Sequence, residues 1–168
     1  MEKMASLAAS LGDEAHAKAW SDKLDDTRKK AYSRFFDKSR CAFYNADIDT
    51  PQYSVQSQAW MILGGAITGE EAIAALRTCL SSHDALKPVT PYMHHYVVEA
   101  MVKLGLMEEA KDYIKSYWGS MIANGADTFW EAYDPKNPEL SPYSDPIMNS
   151  FCHAWSCSPS YFIRKYFI

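Results

Sequence analysis

Apolar residues recur at helical spacing along most of this 168-residue chain, and that spacing constrains its fold more than any other feature. In residues 106–122 one helical stripe is apolar and the opposite one carries acids and lysines, and residues 13–36 have the same two-faced pattern. Residues 54–67 and 91–104 carry few charges, and the second is apolar on more than one face. The pattern predicts outer helices, each with one buried face, that alternate with inner helices.

A corner of glycine followed by acidic residues recurs where one helical segment gives way to the next. Gly12, Gly65 and Gly105 occupy these corners. Glycine commonly ends a helix in the left-handed conformation, and acids favour the first turn of the following helix. The sequence therefore predicts a single all-α domain over residues 1–168, with about eight helices in four hairpins. A short strand is expected only near residues 128–133.

Composition and charge exclude several classes of protein. Seventeen lysines and arginines stand against 21 acids, so no basic field exists to hold a nucleic acid. The longest apolar run, Trp60–Ile67, is too short to span a membrane. The first residues contain no hydrophobic signal core. The compartment of the parent protein stays open between cytoplasmic, periplasmic and secreted. The four cysteines lack zinc-site spacing and are expected to be free thiols, mostly buried.

Three inserts separate an outer helix from the next inner one. They are predicted to emerge together at one end of the helical array, where long ordered loops commonly carry binding or chemistry. The aromatic content of 14% is compatible with platforms for sugar rings. The inserts are residues 37–53, 82–90 and 124–146.

Two segments carry the main candidates for chemistry. Glu131 stands beside the indole of Trp130 in a loop, an environment that tunes a carboxylate for acid or base work, although a surface acid or a capping residue fits the same spacing. His153 lies among bulky apolar residues, and this setting is compatible both with a histidine of the core and with a functional one.

Weaker candidates lie in the other inserts and inner helices. His95 and Glu99 are four positions apart and could reach one metal ion, but no third ligand is in register, so a polar seam between helices is favoured. Asp47 and Asp49 are turn formers or pocket acids, with turn formers favoured. No metal and no cofactor are expected.

Three motifs in order resemble glycoside hydrolase family 78, the α-L-rhamnosidases. The resemblance covers the chain from about residue 5 to its last residue, and residues 125–159 are the specific part. The motifs are Thr90-Pro91-Tyr92-Met93-x-His95-Tyr96-x-x-Glu99-Ala100, Tyr117-Trp118-Gly119, and Gly125-Ala126-Asp127-Thr128-Phe129-Trp130-Glu131 followed by Cys152-His153-Ala154-Trp155-Ser156-x-Ser158-Pro159.

The resemblance implies an (α/α)6 toroid that removes terminal L-rhamnose by an inverting mechanism, in which a carboxylic acid protonates the leaving oxygen and a carboxylate activates water. By match to the family motifs, Glu131 is expected to be the general base and His153 a ligand of sugar hydroxyls. Trp130 and Tyr92 are expected in the wall of the sugar pocket. Asp127 departs from the motif, where the family more often has a small or hydroxyl residue.

The family pattern is only partly present. About four of the six hairpins are expected, and the family's acid-rich Asp-x-Pro-x-Arg-x-Glu stretch, which supplies the general acid, does not occur. The chain alone is therefore expected not to hydrolyse a rhamnoside. Exposed inner helices should drive self-association or pairing with the missing half of the toroid. The alternatives are a non-catalytic or degenerate carbohydrate-binding domain and a helical-repeat interaction module.

Overall fold

The computed structural model describes residues 1–46 and 50–168. Seven α-helices and two very short strands form in these residues. They are α1 (Glu2–Ser10), α2 (Glu14–Phe35), β1 (Phe36–Asp37), β2 (Ala42–Phe43), α3 (Val55–Gly64), α4 (Gly69–Ser81), α5 (Pro91–Lys103), α6 (Met107–Ala123) and α7 (Ser158–Phe162). Two single turns of 3-10 helix, Pro146–Met148 and Ala154–Ser156, precede α7, and a π-helical segment, Ile163–Phe167, follows it.

Three complete hairpins, α1–α2, α3–α4 and α5–α6, account for most of the fold. Their corners are the predicted ones, since Gly12, Gly65 and Gly105 all lie in the left-handed region, with φ between 75° and 78°. The C-terminal part departs from a regular fourth hairpin. After α6 the chain runs through loops and 3-10 turns, and only the five-residue α7 and the π-helical segment follow.

The core lies between the second and third hairpins. Helix α3 packs against both α4 and α5, and α5 packs against α6, so α3 and α5 are the inner helices. Their buried residues and those on the inner faces of α4 and α6 form one continuous apolar cluster. No residue of α1 or α2 is fully buried, so the first hairpin lies at the edge of the described structure. None of the described helices is long and apolar enough to cross a membrane.

Two expectations are corrected by the structure. Residues 128–133 do not form a strand, and the two strands are β1 and β2, which pair antiparallel through Phe36 opposite Phe43. The four cysteines are free, as predicted, but Cys152 and Cys157 are exposed because they lie on the surface turns before α7 and not on one packed helix.

Candidate active site

The three inserts meet at one end of the helical array, as predicted. Leu86 of the second insert exchanges backbone hydrogen bonds with the end of the first, donating to Tyr53 O at 2.9 Å and accepting from Val55 N at 3.0 Å. Tyr133 of the third insert donates its backbone N–H to Val89 O at 3.4 Å. The loops therefore form one continuous surface beside the N-termini of the inner helices.

Glu131 is held where residues 129–131 of the third insert run antiparallel to residues 150–153. The backbone N–H of Glu131 donates to Ser150 O at 2.8 Å, and the backbone N–H of His153 donates to Phe129 O at 2.9 Å. The Ser156 hydroxyl adds a bond to Trp130 O at 2.7 Å. These contacts bring the Glu131 and His153 motifs together, although they are more than twenty positions apart in the sequence.

The Glu131 carboxylate is nearly enclosed, with 7% of the residue exposed. Its Oε1 accepts a hydrogen bond from the Tyr143 hydroxyl at 2.6 Å, and its Oε2 accepts one from the backbone N–H of Ser150 at 3.0 Å. These two bonds, the first above all, lower the pKa of the Glu131 carboxyl, and nearby His153 adds to the effect. The side chain is therefore ionised at neutral pH, the form that a general base requires.

Trp130 packs inside the loop surface. Its ring meets the rings of Tyr133 and Phe151 edge to face, with centroids 5.7 Å and 5.4 Å away. The backbone N–H of Trp130 faces Met121 Sδ of α6 at 3.3 Å. Trp130 thus anchors the segment that carries Glu131, and its place in a sugar pocket stays a prediction.

His153 and Tyr92 are joined by a row of aromatic side chains that continues onto the inner helices. We call this set the aromatic row, and its neighbouring ring centroids lie 4.2 to 5.6 Å apart. Tyr92, with 45% of the residue exposed, opens α5, and Trp155 bridges it to the His153 ring. In spatial order the members are His153, Trp155, Tyr92, Tyr96 and Trp60.

The structure adds two groups that the sequence did not single out for a role at the site, the Tyr143 hydroxyl and the Ser150 backbone N–H. The only local signal was a tyrosine among turn-forming residues, Ser141-Pro142-Tyr143-Ser144, between the two motifs. A backbone donor leaves no trace in residue type.

The His95–Glu99 pair forms a polar seam. His95 Nδ1 lies 3.1 Å from the Ser158 hydroxyl at the start of α7, and Nε2 lies 4.0 Å from the Glu99 carboxylate. No group of three or more histidines, cysteines and acids with metal-binding geometry occurs within residues 1–46 and 50–168. Asp47 and Asp49 lie outside the described residues.

The chain resembles known rhamnosidases in sequence and in fold. The family model for the bacterial alpha-L-rhamnosidase 6 hairpin glycosidase domain matches residues 1–167. A rhamnosidase from Klebsiella oxytoca, solved with rhamnose bound, superimposes with a TM-score of 0.90 at 35% identity over 98% of this chain. A family 78 rhamnosidase of Bacillus sp. GL1 superimposes with a TM-score of 0.77 at 26% identity over 96% of it. No curated protein matches.

The chain spans 31% of the Klebsiella structure and 17% of the Bacillus one. The resemblance in the motifs and the predicted class, an all-α set of helical hairpins from an (α/α)6 toroid, are both confirmed. The chain belongs to the α-L-rhamnosidase family, as part of its six-hairpin glycosidase domain.

Proposed function

We propose that this chain forms the C-terminal part of the catalytic domain of an inverting glycosidase that removes terminal α-L-rhamnose from glycosides or polysaccharides. The observation that carries the proposal is the Glu131 carboxylate, which is enclosed, ionised and held through both oxygens, and which lies within the residues that match the family model. The rhamnose bound in the Klebsiella relative supports the class of sugar.

In this mechanism Glu131 is the general base. It accepts a proton from a water molecule as that water attacks the anomeric carbon, while a carboxylic acid on the opposite face of the sugar protonates the leaving oxygen. An inverting pair of carboxyls stands about 6.5–9.5 Å apart to leave room for the water. His153 would bind a sugar hydroxyl, and Trp130 and Tyr92 would line the pocket.

The general acid would come from a part of the toroid that this sequence does not contain. The family's Asp-x-Pro-x-Arg-x-Glu stretch is absent from residues 1–168. Because a base without its acid leaves the leaving oxygen unprotonated, the chain alone is expected not to turn over a rhamnoside.

The second candidate is a non-catalytic or degenerate domain that binds carbohydrate. It is favoured by the aromatic row, in which Trp60, Tyr92 and Trp155 are all exposed and which begins with His153 packed against Trp155. Exposed aromatic faces offer an apolar surface on which a sugar ring can stack. The same surface serves both candidates, so catalysis and binding must be measured separately.

Catalysis is tested in a chimera in which this chain replaces the equivalent segment of the Klebsiella oxytoca rhamnosidase, assayed with 4-nitrophenyl α-L-rhamnoside. The chimera should hydrolyse the substrate and release β-L-rhamnose first, as seen by proton NMR. Glu131→Gln should lower kcat about 10²–10⁴-fold. The matched control, Glu139→Gln, changes an exposed acid of the same insert and should leave kcat unchanged.

Binding is tested with the chain alone, by saturation-transfer NMR with L-rhamnose. A folded but inactive chimera together with rhamnose binding by the chain would favour the second candidate. Full activity in Glu131→Gln would remove Glu131 from the mechanism. Turnover by the chain alone would contradict the need for an external acid.

A further inference from the structure

The Tyr143 hydroxyl and the Ser150 N–H come from one closed segment, residues 140–150, which begins in the third insert and which we call the clamp segment. Asn149 closes it by donating from Nδ2 to Leu140 O at 2.8 Å. Inside it, the Ser141 hydroxyl donates to Asp145 O at 2.8 Å and accepts from Tyr143 N at 3.1 Å. The two groups that hold Glu131 are therefore tied to each other.

The clamp segment does not occupy every hydrogen-bonding site of the Glu131 carboxylate. An ionised carboxylate offers about four lone-pair sites. The structure gives Oε1 one protein donor, Tyr143, and Oε2 one protein donor, Ser150 N–H. Each oxygen therefore keeps an acceptor site that no other hydrogen bond of the described residues uses.

Tyr143 contributes through its hydroxyl more than through its ring. The residue is 52% exposed, so burial of the ring cannot be its main part in the fold. Its hydroxyl nevertheless approaches Glu131 Oε1 to 2.6 Å, the short distance of a hydrogen bond to a charged acceptor. The pKa of Tyr143 is raised, mainly by this bond, so the phenol stays protonated and remains the donor.

We propose that Tyr143 is a positioning residue for Glu131, whose hydroxyl fixes the orientation of the carboxylate through its hydrogen bond to Oε1. This inference rests on the proposed function for its effect on turnover, but its effect on the carboxylate can be measured without any activity. The titratable groups of the described chain that act on this carboxylate are Tyr143 and His153.

The direct test is the titration of the Glu131 carboxyl carbon by ¹³C NMR in the 168-residue chain, assigned with Glu131→Gln. In Tyr143→Phe the pKa of Glu131 should rise, because the variant lacks the Tyr143 hydroxyl bond that contributes most to lowering it. The matched control is Tyr32→Phe, which removes another tyrosine–glutamate bond, from Tyr32 to Glu71. It should leave the Glu131 titration in place.

A second variant separates the hydroxyl from the ring. Tyr143→Ala should shift the Glu131 titration as far as Tyr143→Phe does. A shift in the alanine variant alone would assign the effect to the ring and overturn the proposal. An unshifted Glu131 titration in Tyr143→Phe, with an unchanged circular dichroism spectrum, would overturn it as well.

Turnover in the chimera gives the independent readout. Tyr143→Phe should move the acidic limb of the kcat profile to higher pH. It should also lower kcat about tenfold, which corresponds to about 1.4 kcal/mol of transition-state stabilisation, with little change in KM. Unchanged kcat and an unmoved acidic limb would contradict the positioning role. If Glu131→Gln keeps full activity, the proposed function fails, while the carboxyl titration still decides what Tyr143 does.

Discussion

The side-chain amide of Gln58 is completely buried, and both of its ends are used. Its Oε1 accepts from Phe43 N at 2.9 Å, and its Nε2 donates to Phe43 O at 2.8 Å and to Ser54 O at 2.9 Å. One residue of α3 thereby satisfies both backbone groups of Phe43 in β2. Buried polar groups of this kind stabilise a fold only while every partner is present.

Replacing Gln58 by Leu should lower the free energy of unfolding by about 2 to 4 kcal/mol, because the two backbone groups of Phe43 lose their partner in a buried place. Urea unfolding followed by circular dichroism measures the loss. Gln56→Leu is the control, since Gln56 is only partly buried and gives up a single bond, to Lys87 O at 3.2 Å. An equally large loss of unfolding free energy in the control would show that the burial of the Gln58 amide does not add to its contribution to stability.

His94 is the second buried polar residue with a measurable consequence. Its Nε2 faces Pro88 O at 3.2 Å, which can only accept, so Nε2 carries the proton and Nδ1 accepts from the Tyr113 hydroxyl at 2.8 Å. The ring also stacks on Tyr117, with centroids 3.6 Å apart. Burial lowers the pKa of His94 from 6.5 to about 3, so the folded protein holds it neutral.

The stability that neutral His94 provides should be complete above pH 6.5 and be lost as the pH falls towards 3, since the unfolded chain takes up the proton first. The slope from this one group approaches about 1.4 kcal/mol per pH unit. In His94→Gln, which can still donate and accept but does not titrate, urea unfolding should show a flatter dependence over this range. Equal slopes in the two proteins would contradict a buried neutral His94.

At the scale of elements, the corners between helices combine a common backbone requirement with individual packing. Gly65 and Gly105 end α3 and α5 with nearly the same φ, 75° and 78°. Only Gly65 is crowded, because a Cβ built there would lie 2.9 Å from Arg28 Nη2. The same guanidinium donates from Nε to Gly64 O at 2.8 Å and so ties α2 to the end of α3.

Gly105→Ala should destabilise the chain by about 1 kcal/mol. Alanine is unfavourable in the left-handed region, and this cost is partly offset because alanine lowers the conformational entropy of the unfolded chain. Gly65→Ala should cost more, because Arg28 must also leave the α3 carbonyl. In an Arg28→Ala background the two substitutions should cost the same. Urea unfolding of the four variants tests this, and an unchanged difference in that background would exclude Arg28 as its cause.

The elements differ in how far the sequence predicts them. The predicted helices over 13–36 and 106–122 match Glu14–Phe35 and Met107–Ala123 to within one residue at each end, because a helix with one buried face repeats its own signal. The β1–β2 pair was missed. It has two residues on each strand and depends on Gln58, fifteen positions further on, so no local period could reveal it.

The candidate site was also predictable only in part, because its contacts join residues that are distant in the sequence and leave no local pattern. Glu131 and His153 were singled out by motif, with resemblance deciding between the open interpretations of each. The pairing of residues 129–131 with 150–153 and the bond from Tyr143 join positions separated by irregular chain. Such contacts depend on loop geometry, which neither hydrophobic period nor residue type specifies.

At the scale of the whole molecule, large apolar side chains are exposed in several places, among them the first hairpin and the inner helix α3. On α1, Leu7 is 54% exposed, and Leu11, which follows the helix, is 75% exposed. On the inner helix α3, Trp60 is 48% exposed. Apolar surfaces of this kind commonly mark places where another surface binds.

The chain is therefore expected to self-associate in a concentration-dependent way, as measured by sedimentation velocity. Leu7→Lys combined with Leu11→Lys should weaken the association, because two charges would enter the contact on α1. Ile147→Lys, at an exposed apolar residue of the clamp segment, is the control and should leave it unchanged. A monomer at every concentration would contradict the expectation.

The short range of the bonds around Glu131 has a consequence for the order of folding. The bonds from Tyr143, Ser150 and Ser156, and the one from the Trp118 indole to Ser156 O, close loops of 12 to 38 residues. Because a shorter loop costs less entropy to close and short-range contacts form fastest, these loops can close before helices that are more distant in the sequence dock. The groups that hold the Glu131 carboxylate are thus contained in one stretch of chain, residues 118–156, whose contacts can form early in folding.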